Sequence, residues 1–370
     1  MGKIRVLVVD DSAFMRKVVS DILSADPEIE VIDRARNGLE CLEKVSQLQP
    51  DVITLDIEMP VMNGLEALER LMQTSPLPIV MLSSLTSEGA DATIKALELG
   101  AFDFVTKPSG PISLDIHKVA EGLLEKVKAA AQAKEKRKKS PLRQIPPAVS
   151  AIRQPLKPTP SPSTPLAPAK QAPLAKTGGR VVNLVALGTS TGGPKALQTF
   201  LTSLPANLPA AIVIVQHMPA GFTRSLAQRL NSLCEIQVVE AEEGQTVQEG
   251  TAYIAPGGYH LEILQSGGVL RTHLELTEPR AGHRPAVDVL FESVSKVANV
   301  KKWAIIMTGM GSDGTKGLKL MKETGEVTSI IEDESTSVVF GMPRSAIQAG
   351  LADRVVPLDK IAETLQKLLN

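Results

Sequence analysis

The stretch Val6-Leu7-Val8-Val9-Asp10-Asp11 is a short apolar run that ends in two carboxylates. Four more runs of strand length follow it in the first 128 residues, at Val31–Asp33, Val52–Leu55, Pro78–Leu82 and Ala101–Val105. Between them, apolar side chains repeat at the three-to-four spacing of an amphipathic helix. Five strands that alternate with helices favour a parallel, doubly wound, flavodoxin-like α/β sheet. Ligands of such sheets gather beyond the carboxyl ends of the strands.

Three carboxylates follow strands that are neighbours in such a sheet. Asp10 and Asp11 end the first strand and Asp56 ends the third, so we expect the three side chains to converge. Without a cation they would repel one another and raise one another's pKa values. Mg²⁺ removes that conflict, because it prefers one or two carboxylates together with water and phosphate oxygens. The pattern therefore predicts a Mg²⁺ site at which an aspartate can accept a phosphoryl group as an acyl phosphate.

Two more polar side chains, Ser83 and Lys107, follow the fourth and fifth predicted strands. A hydroxyl and an ammonium group at these strand ends could bind the oxygens of a new phosphoryl group. A single aspartate at the end of a strand is more often a turn or capping residue. Such features at four successive strand ends are much harder to attribute to turns.

These positions resemble those of response-regulator receiver domains, and the resemblance covers roughly residues 3–127. The residues that carry it are Asp10, Asp11, Asp56, Ser83 and Lys107-Pro108. The resemblance implies that a histidine kinase is the phosphodonor and that Asp56 is phosphorylated. It implies that Mg²⁺ is held by Asp11, Asp56 and the backbone carbonyl of Glu58, with Asp10 acting mainly through water. It also implies that Phe104 is the aromatic residue of the phosphorylation switch, together with Ser83 and Lys107.

A second strand-to-helix turn is predicted at Leu187-Gly188-Thr189-Ser190-Thr191-Gly192-Gly193-Pro194. Ser190 would lie at the positive end of the helix, where a developing oxyanion is favoured, and the segment matches the G-x-S-x-G elbow. The alternative is a simple anion-binding turn, since small residues before a helix hold phosphates in many folds. The segment alone does not separate these two interpretations. This segment lacks G-x-G-x-x-G, which disfavours a dinucleotide site at this turn.

A serine nucleophile needs a general base, and two candidate partners follow other predicted strands. His217 comes after Ala211–Gln216, and Asp313 comes after Trp303–Met307. Three loops that each follow a parallel strand give the geometry of a Ser–His–Asp relay. Taken singly, His217 could be a half-buried structural imidazole and Asp313 a turn residue between glycines. Every histidine after Ser190 precedes the first aspartate there, Asp288, so the order Ser…Asp…His of α/β-hydrolases is excluded.

Three motifs in this order resemble the catalytic domain of chemotaxis protein-glutamate methylesterases, from about Val181 to Leu368. They are Gly188–Gly193, Val215–Pro219 and Thr308–Gly314. The resemblance implies hydrolysis of glutamate methyl esters on methyl-accepting chemoreceptors with release of methanol, and deamidation of receptor glutamines, without a cofactor. It makes Ser190 the nucleophile, His217 the general base and then acid, Asp313 its orienter, and the backbone N–H of Met310 an oxyanion donor.

The C-terminal region is predicted to be a doubly wound, mostly parallel α/β domain with a small antiparallel insertion. The inserted strands are expected at Thr251–Ala255, His260–Gln265 and Val269–Thr272, joined by glycine-rich turns. His260 and His283 could contact substrate, but we expect surface roles for both and place neither in the relay.

Composition divides the chain into three parts. Its 370 residues favour about two domains. Residues 1–128, the predicted receiver domain, have a net charge of −8, and residues 180–370, the predicted catalytic domain, have −2. Residues 129–179 have +9, and ten prolines lie between Pro141 and Pro173, so we predict an extended interdomain linker there.

Several classes of function are disfavoured. The charge of −2 and the lack of a helix-turn-helix pattern argue against a receiver-linked transcription factor and against nucleic acid as a partner. No run of about 18 apolar residues predicts membrane insertion, and only two cysteines are present, so we expect a cytoplasmic protein. The leading alternative to a hydrolase is a non-enzymatic, phosphorylation-dependent binding protein. We expect the unphosphorylated receiver to pack over the Ser190 cleft and to restrain the enzyme.

Overall fold

The computed structural model describes residues 2–107, 116–139 and 181–369. The first two ranges form a parallel five-stranded sheet with the order β2-β1-β3-β4-β5 and helices on both faces, as predicted. Its strands are β1 (Ile4–Val9), β2 (Ile29–Ala35), β3 (Val52–Asp56), β4 (Ile79–Ser83) and β5 (Asp103–Thr106). Its helices are α1 (Ala13–Ser24), α2 (Gly38–Leu48), α3 (Gly64–Thr74), α4 (Ser87–Leu99) and α5 (Ile116–Lys139).

Four of these helices begin at a side-chain cap. In each, the capping oxygen accepts a hydrogen bond from the backbone N–H three residues further on, and the caps are Ser12, Asn37, Asn63 and Thr86. Each bond satisfies one of the four backbone donors that a helix leaves unpaired at its start, which stabilises the helix by about 1 kcal/mol. The caps therefore set where each helix leaves the carboxyl edge of the sheet.

Residues 181–369 form a second, seven-stranded parallel sheet with the order β14-β13-β12-β6-β7-β9-β8. Its strands are β6 (Asn183–Thr189), β7 (Ala211–Gln216), β8 (Gln237–Glu240), β9 (Thr251–Ile254), β12 (Lys301–Ile306), β13 (Val327–Glu332) and β14 (Arg354–Val356). Its helices are α6 (Gly193–Leu201), α7 (Phe222–Leu233), α8 (Val287–Ser295), α9 (Thr315–Thr324), α10 (Met342–Gln348) and α11 (Leu358–Leu369).

The antiparallel part is smaller than predicted. Among the strands that the structure describes, only β10 (His260–Ser266) and β11 (Val269–Glu275) form an antiparallel pair. Thr251–Ile254, predicted to belong to the same insertion, instead lies between β7 and β8 and pairs in parallel with both. All four residues of β9 are buried, which is typical of a strand inside a parallel sheet covered on both faces.

Side chains of alternating direction on β6 and β7 supply two separate cores. Val185 and Ile212 point to the face covered by α6, α7 and α11, whereas Ala186 and Val213 point to the face covered by α8, α9 and α10. The first of these cores continues into the N-terminal sheet, because α4 packs against α6 and α7. The two units therefore share one buried apolar cluster.

Helix α5 is longer than the receiver boundary at residue 128 implied. It continues to Lys139, so residues 129–139, predicted as the start of an extended linker, are helical. The sequence there is rich in Ala, Lys, Gln and Glu, which are strong helix formers. The rest of the predicted linker lies outside the described residues, and the division into three segments stays a prediction. Within the described ranges, no helix is both long enough and apolar enough to cross a membrane.

Candidate active site

The carboxyl edge of the N-terminal sheet brings three aspartates together. Asp10 and Asp11 follow β1 and Asp56 ends β3, and one ligand oxygen from each lies within 4.8 Å of the others. Asp10 and Asp56 are buried, whereas Asp11 is exposed. The donor set is all carboxylate oxygen, which suits a hard divalent cation such as Mg²⁺.

Lys107 at the end of β5 pairs with two of these carboxylates. Its Nζ lies 2.9 Å from Asp10 Oδ2 and 2.8 Å from Asp56 Oδ2. Burial raises the pKa of Asp56 to about 6, although the Lys107 ammonium opposes that rise. Burial alone would lower the pKa of Lys107, but its hydrogen bonds to Asp56 and Asp10 raise it above the ordinary value. Lys107 therefore neutralises part of the negative charge of the cluster.

The other predicted receiver residues lie around this cluster. Ser83 is fully buried, and its hydroxyl donates towards the backbone oxygens of Ser84 and Gly89 and accepts from Thr93 Oγ1 at 2.7 Å. Glu58 is exposed on the loop after β3, with its backbone N–H 3.4 Å from Asp56 Oδ1. The Ser83 hydroxyl is thus held by the first turns of α4.

The second sheet places three predicted residues on loops after adjacent strands. Ser190 follows β6, His217 follows β7, and Asp313 lies in the loop between β12 and α9. β6 lies between the other two strands, and Thr189 is paired in register with Gln216. The backbone N–H of Ser190 donates to Thr308, and that of His217 donates to Thr189. The three loops therefore meet at the same edge of one sheet.

His217 and Asp313 form a buried hydrogen-bonded pair. His217 Nε2 lies 2.8 Å from Asp313 Oδ2, and both side chains are more than nine-tenths buried. The Asp313 carboxylate also accepts the backbone N–H groups of Val287, Asp288 and Gly314 at 2.7–2.9 Å. Burial would raise its pKa, but the bonds from His217 and from these N–H groups hold the pKa below its ordinary value. Asp313 is therefore fixed as an anion beside the imidazole.

A second carboxylate, Asp288, fixes the Asp313 loop from the other side. Asp313 accepts from the first backbone N–H groups of α8, and Asp288 in α8 accepts from Gly314 at 3.0 Å and Gly317 at 2.7 Å, at the start of α9. Asp313 thus caps α8, the helix that carries Asp288, and Asp288 caps α9, the helix that follows Asp313. The N-terminus of a helix is its positive end, so both anions lie where the helix dipoles favour them.

The Ser190 hydroxyl is not hydrogen bonded to the imidazole. His217 Nδ1 is buried without a partner among the described residues, while Nε2 is bonded to Asp313. Ser190 is half-exposed, and its carbonyl oxygen accepts from Gln216 Nε2 at 2.9 Å. The unpaired Nδ1 is thus the ring atom left to take a proton.

The loop after β12 approaches Ser190 closely. A Cβ on Gly309 would lie 2.9 Å from Ser190 Cβ, so only glycine fits there. The next residue, Met310, is half-exposed, and within the described part of the chain its backbone N–H donates to no acceptor. A free N–H next to the serine can donate a hydrogen bond to a negatively charged oxygen.

The N-terminal unit contacts this edge directly. Asp103 Oδ2, at the start of β5, accepts a hydrogen bond of 2.6 Å from the Thr191 hydroxyl. Thr191 is the residue directly after Ser190. The Phe104 ring stacks on Phe222 of α7 with a centroid distance of 4.8 Å. We call the residues of these two pairs the interdomain contact. Phe104 is 4% exposed, so the predicted switch residue is buried between the two units.

Three residues contact the site in ways that the sequence did not predict. His283, expected at the surface, stacks on His217 with ring centroids 3.9 Å apart and an interplanar angle of 10°. His260 is 1% exposed, so the expectation of a surface role is wrong for this residue. Its Nδ1 accepts the Ala286 N–H at 3.2 Å, which holds the start of α8. Asp288 gave no local signal of this role, because its contacts depend on loops far away in the sequence.

Two family models match the chain. One described as CheB methylesterase matches residues 185–365, and one described as response regulator receiver domain matches residues 6–117. A protein of Geobacillus kaustophilus is 54% identical and covers 100% of this chain and 99% of its own length. Relatives from Halalkalibacterium halodurans (54%; 98% of both chains) and Bacillus subtilis (48%; 98% and 97%) are similar over the same extent. All three are named protein-glutamate methylesterase/protein-glutamine glutaminase.

Proposed function

Because the chain belongs to the CheB methylesterase family and carries a response regulator receiver domain, we propose that it hydrolyses glutamate methyl esters and deamidates glutamines in proteins. The observation that carries this proposal is the similarity to relatives named protein-glutamate methylesterase/protein-glutamine glutaminase. They are 48–54% identical over 98–100% of the chain. The substrates would be methyl-accepting chemoreceptors, and the methyl ester reaction would release methanol. The phosphodonor would be a histidine kinase of the chemotaxis system.

The chemistry would be acyl transfer through Ser190. The Ser190 oxygen attacks the ester carbonyl carbon while His217 takes the hydroxyl proton, and the Met310 N–H stabilises the oxyanion. Collapse breaks the bond to the methoxy oxygen, and the imidazolium returns its proton to release methanol. Water then attacks the acyl-enzyme with His217 again as base, which yields free glutamate and the serine hydroxyl. With a glutamine substrate the leaving group is ammonia.

The tautomer of His217 supports this assignment. Its Nε2 donates to the Asp313 carboxylate, which leaves Nδ1 as the basic nitrogen, and Nδ1 has no other partner within the described ranges. Asp313 is held as an anion by three backbone N–H groups, so it can stabilise the imidazolium that forms during attack. The missing Ser190 contact is typical of a resting enzyme, since catalytic hydrogen bonds often tighten only when substrate binds.

Phosphorylation of Asp56 would control the activity. Mg²⁺ would be held by Asp11, Asp56 and the backbone carbonyl of Glu58, with Asp10 acting mainly through water. When bound, the cation would neutralise charge on the incoming phosphoryl group. Lys107, already paired with Asp56, would bind an oxygen of the acyl phosphate. Ser83 would bind another after its hydroxyl leaves the backbone oxygens of α4.

The unphosphorylated receiver would restrain the esterase through the interdomain contact. Asp103 bonds to Thr191, directly after the nucleophile, and Phe104 is stacked on Phe222 at the start of the helix that follows His217. Movement of Ser83 and Phe104 towards a phosphorylated Asp56 would break the aromatic stack. The restraint would therefore be released from β5, the strand directly before Lys107.

Methanol release from methylated receptor membranes, with and without a phosphodonor, tests the proposal. We expect Ser190→Ala to abolish release and labelling by an active-serine reagent. Ser203→Ala is the matched control, because Ser203 is exposed, lies just beyond α6, and among the described residues its hydroxyl bonds only to the Thr199 carbonyl. We expect Asp56→Asn to keep the basal rate and lose stimulation. Labelling that persists in Ser190→Ala would refute the serine mechanism.

A further inference from the structure

His283 covers one face of the proposed general base. Its ring lies 3.9 Å from that of His217 and nearly parallel to it, and it is the only aromatic ring stacked on His217 among the described residues. The His283 side chain makes no hydrogen bond within the described ranges, and the residue is exposed. Its principal contact is therefore a ring face against the imidazole of the relay.

The backbone holds His283 in a tight turn. Arg280 and His283 exchange two backbone hydrogen bonds of 3.0 Å, and the residues between them, Ala281 and Gly282, have φ angles of 51° and 84°. Two central residues with positive φ make a type I′ turn, which glycine tolerates but alanine adopts at a cost. The two hydrogen bonds between Arg280 and His283 hold Ala281 in this left-handed conformation.

Both ends of the turn are tied to the catalytic unit. Arg280 pairs with Glu292 of α8 at 2.5 Å, and the carbonyl of Arg284 accepts the N–H of Gly258 at 3.1 Å. Helix α8 also supplies the N–H groups that hold Asp313. The ring of His283 is therefore anchored to the same element as the carboxylate that orients His217.

The stack supplies a constraint that the hydrogen bond to Asp313 lacks. A single bond at Nε2 holds one atom of the imidazole near Asp313 but lets the ring tilt about the line from Nε2 to Asp313 Oδ2. A parallel ring at van der Waals distance fixes the plane, and aromatic pairs stabilise such an arrangement beyond the area that they bury. When the plane of the His217 ring and the position of its Nε2 are both fixed, the Nδ1 lone pair points in one direction.

We propose that His283 is a positioning residue that holds the plane of the His217 ring so that Nδ1 faces the Ser190 hydroxyl. The inference rests on the proposed serine mechanism. It requires an aromatic face at position 283 and does not require the nitrogen atoms of that side chain. His283 exchanges no proton in this role.

Three substitutions separate the ring face from its nitrogen atoms. We expect His283→Phe, which keeps a ring, to retain kcat for methanol release within about threefold of wild type. We expect His283→Ala and His283→Asn, which remove the ring, to lose about tenfold in kcat with KM unchanged, which is the rate equivalent of about 1.4 kcal/mol. Labelling of Ser190 by the active-serine reagent should slow in the same order, because it depends on the same base.

His273→Ala is the matched control, since His273 lies on β11 with ion pairs to Glu243 and Glu275 and stacks on no ring. It should leave kcat and labelling unchanged. A His283→Ala rate equal to wild type would overturn the inference, as would a rise in KM alone or a Phe variant as slow as the Ala variant. If wild type itself is not labelled, the proposed serine mechanism fails first, so the two failures are distinguishable.

Discussion

At the scale of single residues, Asp313 shows why a buried carboxylate can remain charged. An isolated buried carboxylate is strongly destabilised, yet Asp313 accepts three backbone N–H groups and the imidazole. These donors lower its pKa despite its burial. An amide at this position would place a donor against donors, because its nitrogen cannot accept from Val287 or His217.

We therefore expect Asp313→Asn to lower kcat for methanol release by about 10³–10⁴-fold with little change in KM, as for other Ser–His–Asp relays. The reason is loss of the tautomer and of the charge that stabilise His217. Asp333→Asn is the control: Asp333 follows β13 at the same sheet edge, but its side chain bonds to Ser335. Activity of Asp313→Asn within tenfold of wild type would exclude Asp313 as the orienting residue.

Glu332 is a buried acid that the proposed reaction does not use. It ends β13 with 0% exposure, and it accepts the Thr308 N–H at 2.7 Å and the Thr336 hydroxyl at 3.0 Å. Burial raises its pKa to about 7 from 4.5. The folded protein therefore keeps this proton at pH values at which the unfolded chain releases it.

This pKa predicts that Glu332 destabilises the fold as the pH rises. The stabilisation of the fold by the protonated Glu332 side chain is fully present below about pH 4.5 and is lost as the pH rises through about 7. The free energy of unfolding changes by up to about 3 kcal/mol as a result. Glu332→Gln should remove that part of the pH dependence and leave stability at pH 5 nearly unchanged. Urea unfolding followed by fluorescence of Trp303, the single tryptophan, in β12 of the same sheet, measures it at pH 5 and pH 8. Equal pH dependence in both proteins would contradict the assignment.

At the scale of elements, the starts of α8 and α9 form one unit with the Asp313 carboxylate. Neither helix has a capping side chain at its own N-cap position. Instead Asp313 bonds to the first N–H groups of α8, and Asp288 bonds to those of α9. The exchange locks the relative position of the two helices and so that of the Asp313 loop.

Asp288→Ala should therefore impair both folding and catalysis. We expect a loss of about 1–2 kcal/mol in the free energy of unfolding, the usual value of a cap, and at least about tenfold lower kcat. Asp288→Asn keeps an oxygen that can accept from Gly314 and Gly317, so it should recover most of both. Asp359→Ala, in the first turn of α11 and exposed, controls for the loss of an acid near a helix start. An inactive Asp288→Asn with normal stability would show that the charge matters and that the hydrogen bonds do not suffice.

At the scale of the whole molecule, the receiver and the esterase are joined by a contact that is both apolar and polar. The stacked Phe104 and Phe222 belong to a buried cluster that runs through both units. The Asp103 carboxylate accepts from Thr191 and also from Lys126 at 3.0 Å. A hydrogen bond to a charged group contributes about 1.5–3 kcal/mol, which is enough to bias a two-state equilibrium between closed and open arrangements.

Thr191→Val tests this contact, since it removes one hydroxyl and keeps the shape. We expect basal methanol release to rise about tenfold, because the closed arrangement loses its bond to Asp103. The rate with phosphodonor should equal that of wild type, which shows that the chemistry next to Ser190 is intact. Thr199→Val removes a hydroxyl that bonds only to Lys195 within α6, and it should change neither rate. An unchanged basal rate in Thr191→Val would argue against restraint through this bond.

The amino-acid sequence alone was sufficient to predict the two parallel sheets and the loops that carry the candidate residues. Strand-length apolar runs and helical spacing are local patterns, so they identified β1, β3, β6 and β7 together with the residues that follow them. Loops after parallel strands share one edge of a sheet, and this rule brought Ser190, His217 and Asp313 to one edge before any coordinates.

Only the tertiary structure decided which side chains touch. The stack of His283 on His217, the exchange between Asp288 and Asp313, and the bond from Thr191 to Asp103 join residues 25 to 88 positions apart. No local pattern encodes such pairs, because they depend on how loops and domains pack. The same reason placed β9 inside the parallel sheet, where β7 and β8 pair with its two edges, although its own sequence suits an antiparallel strand equally well.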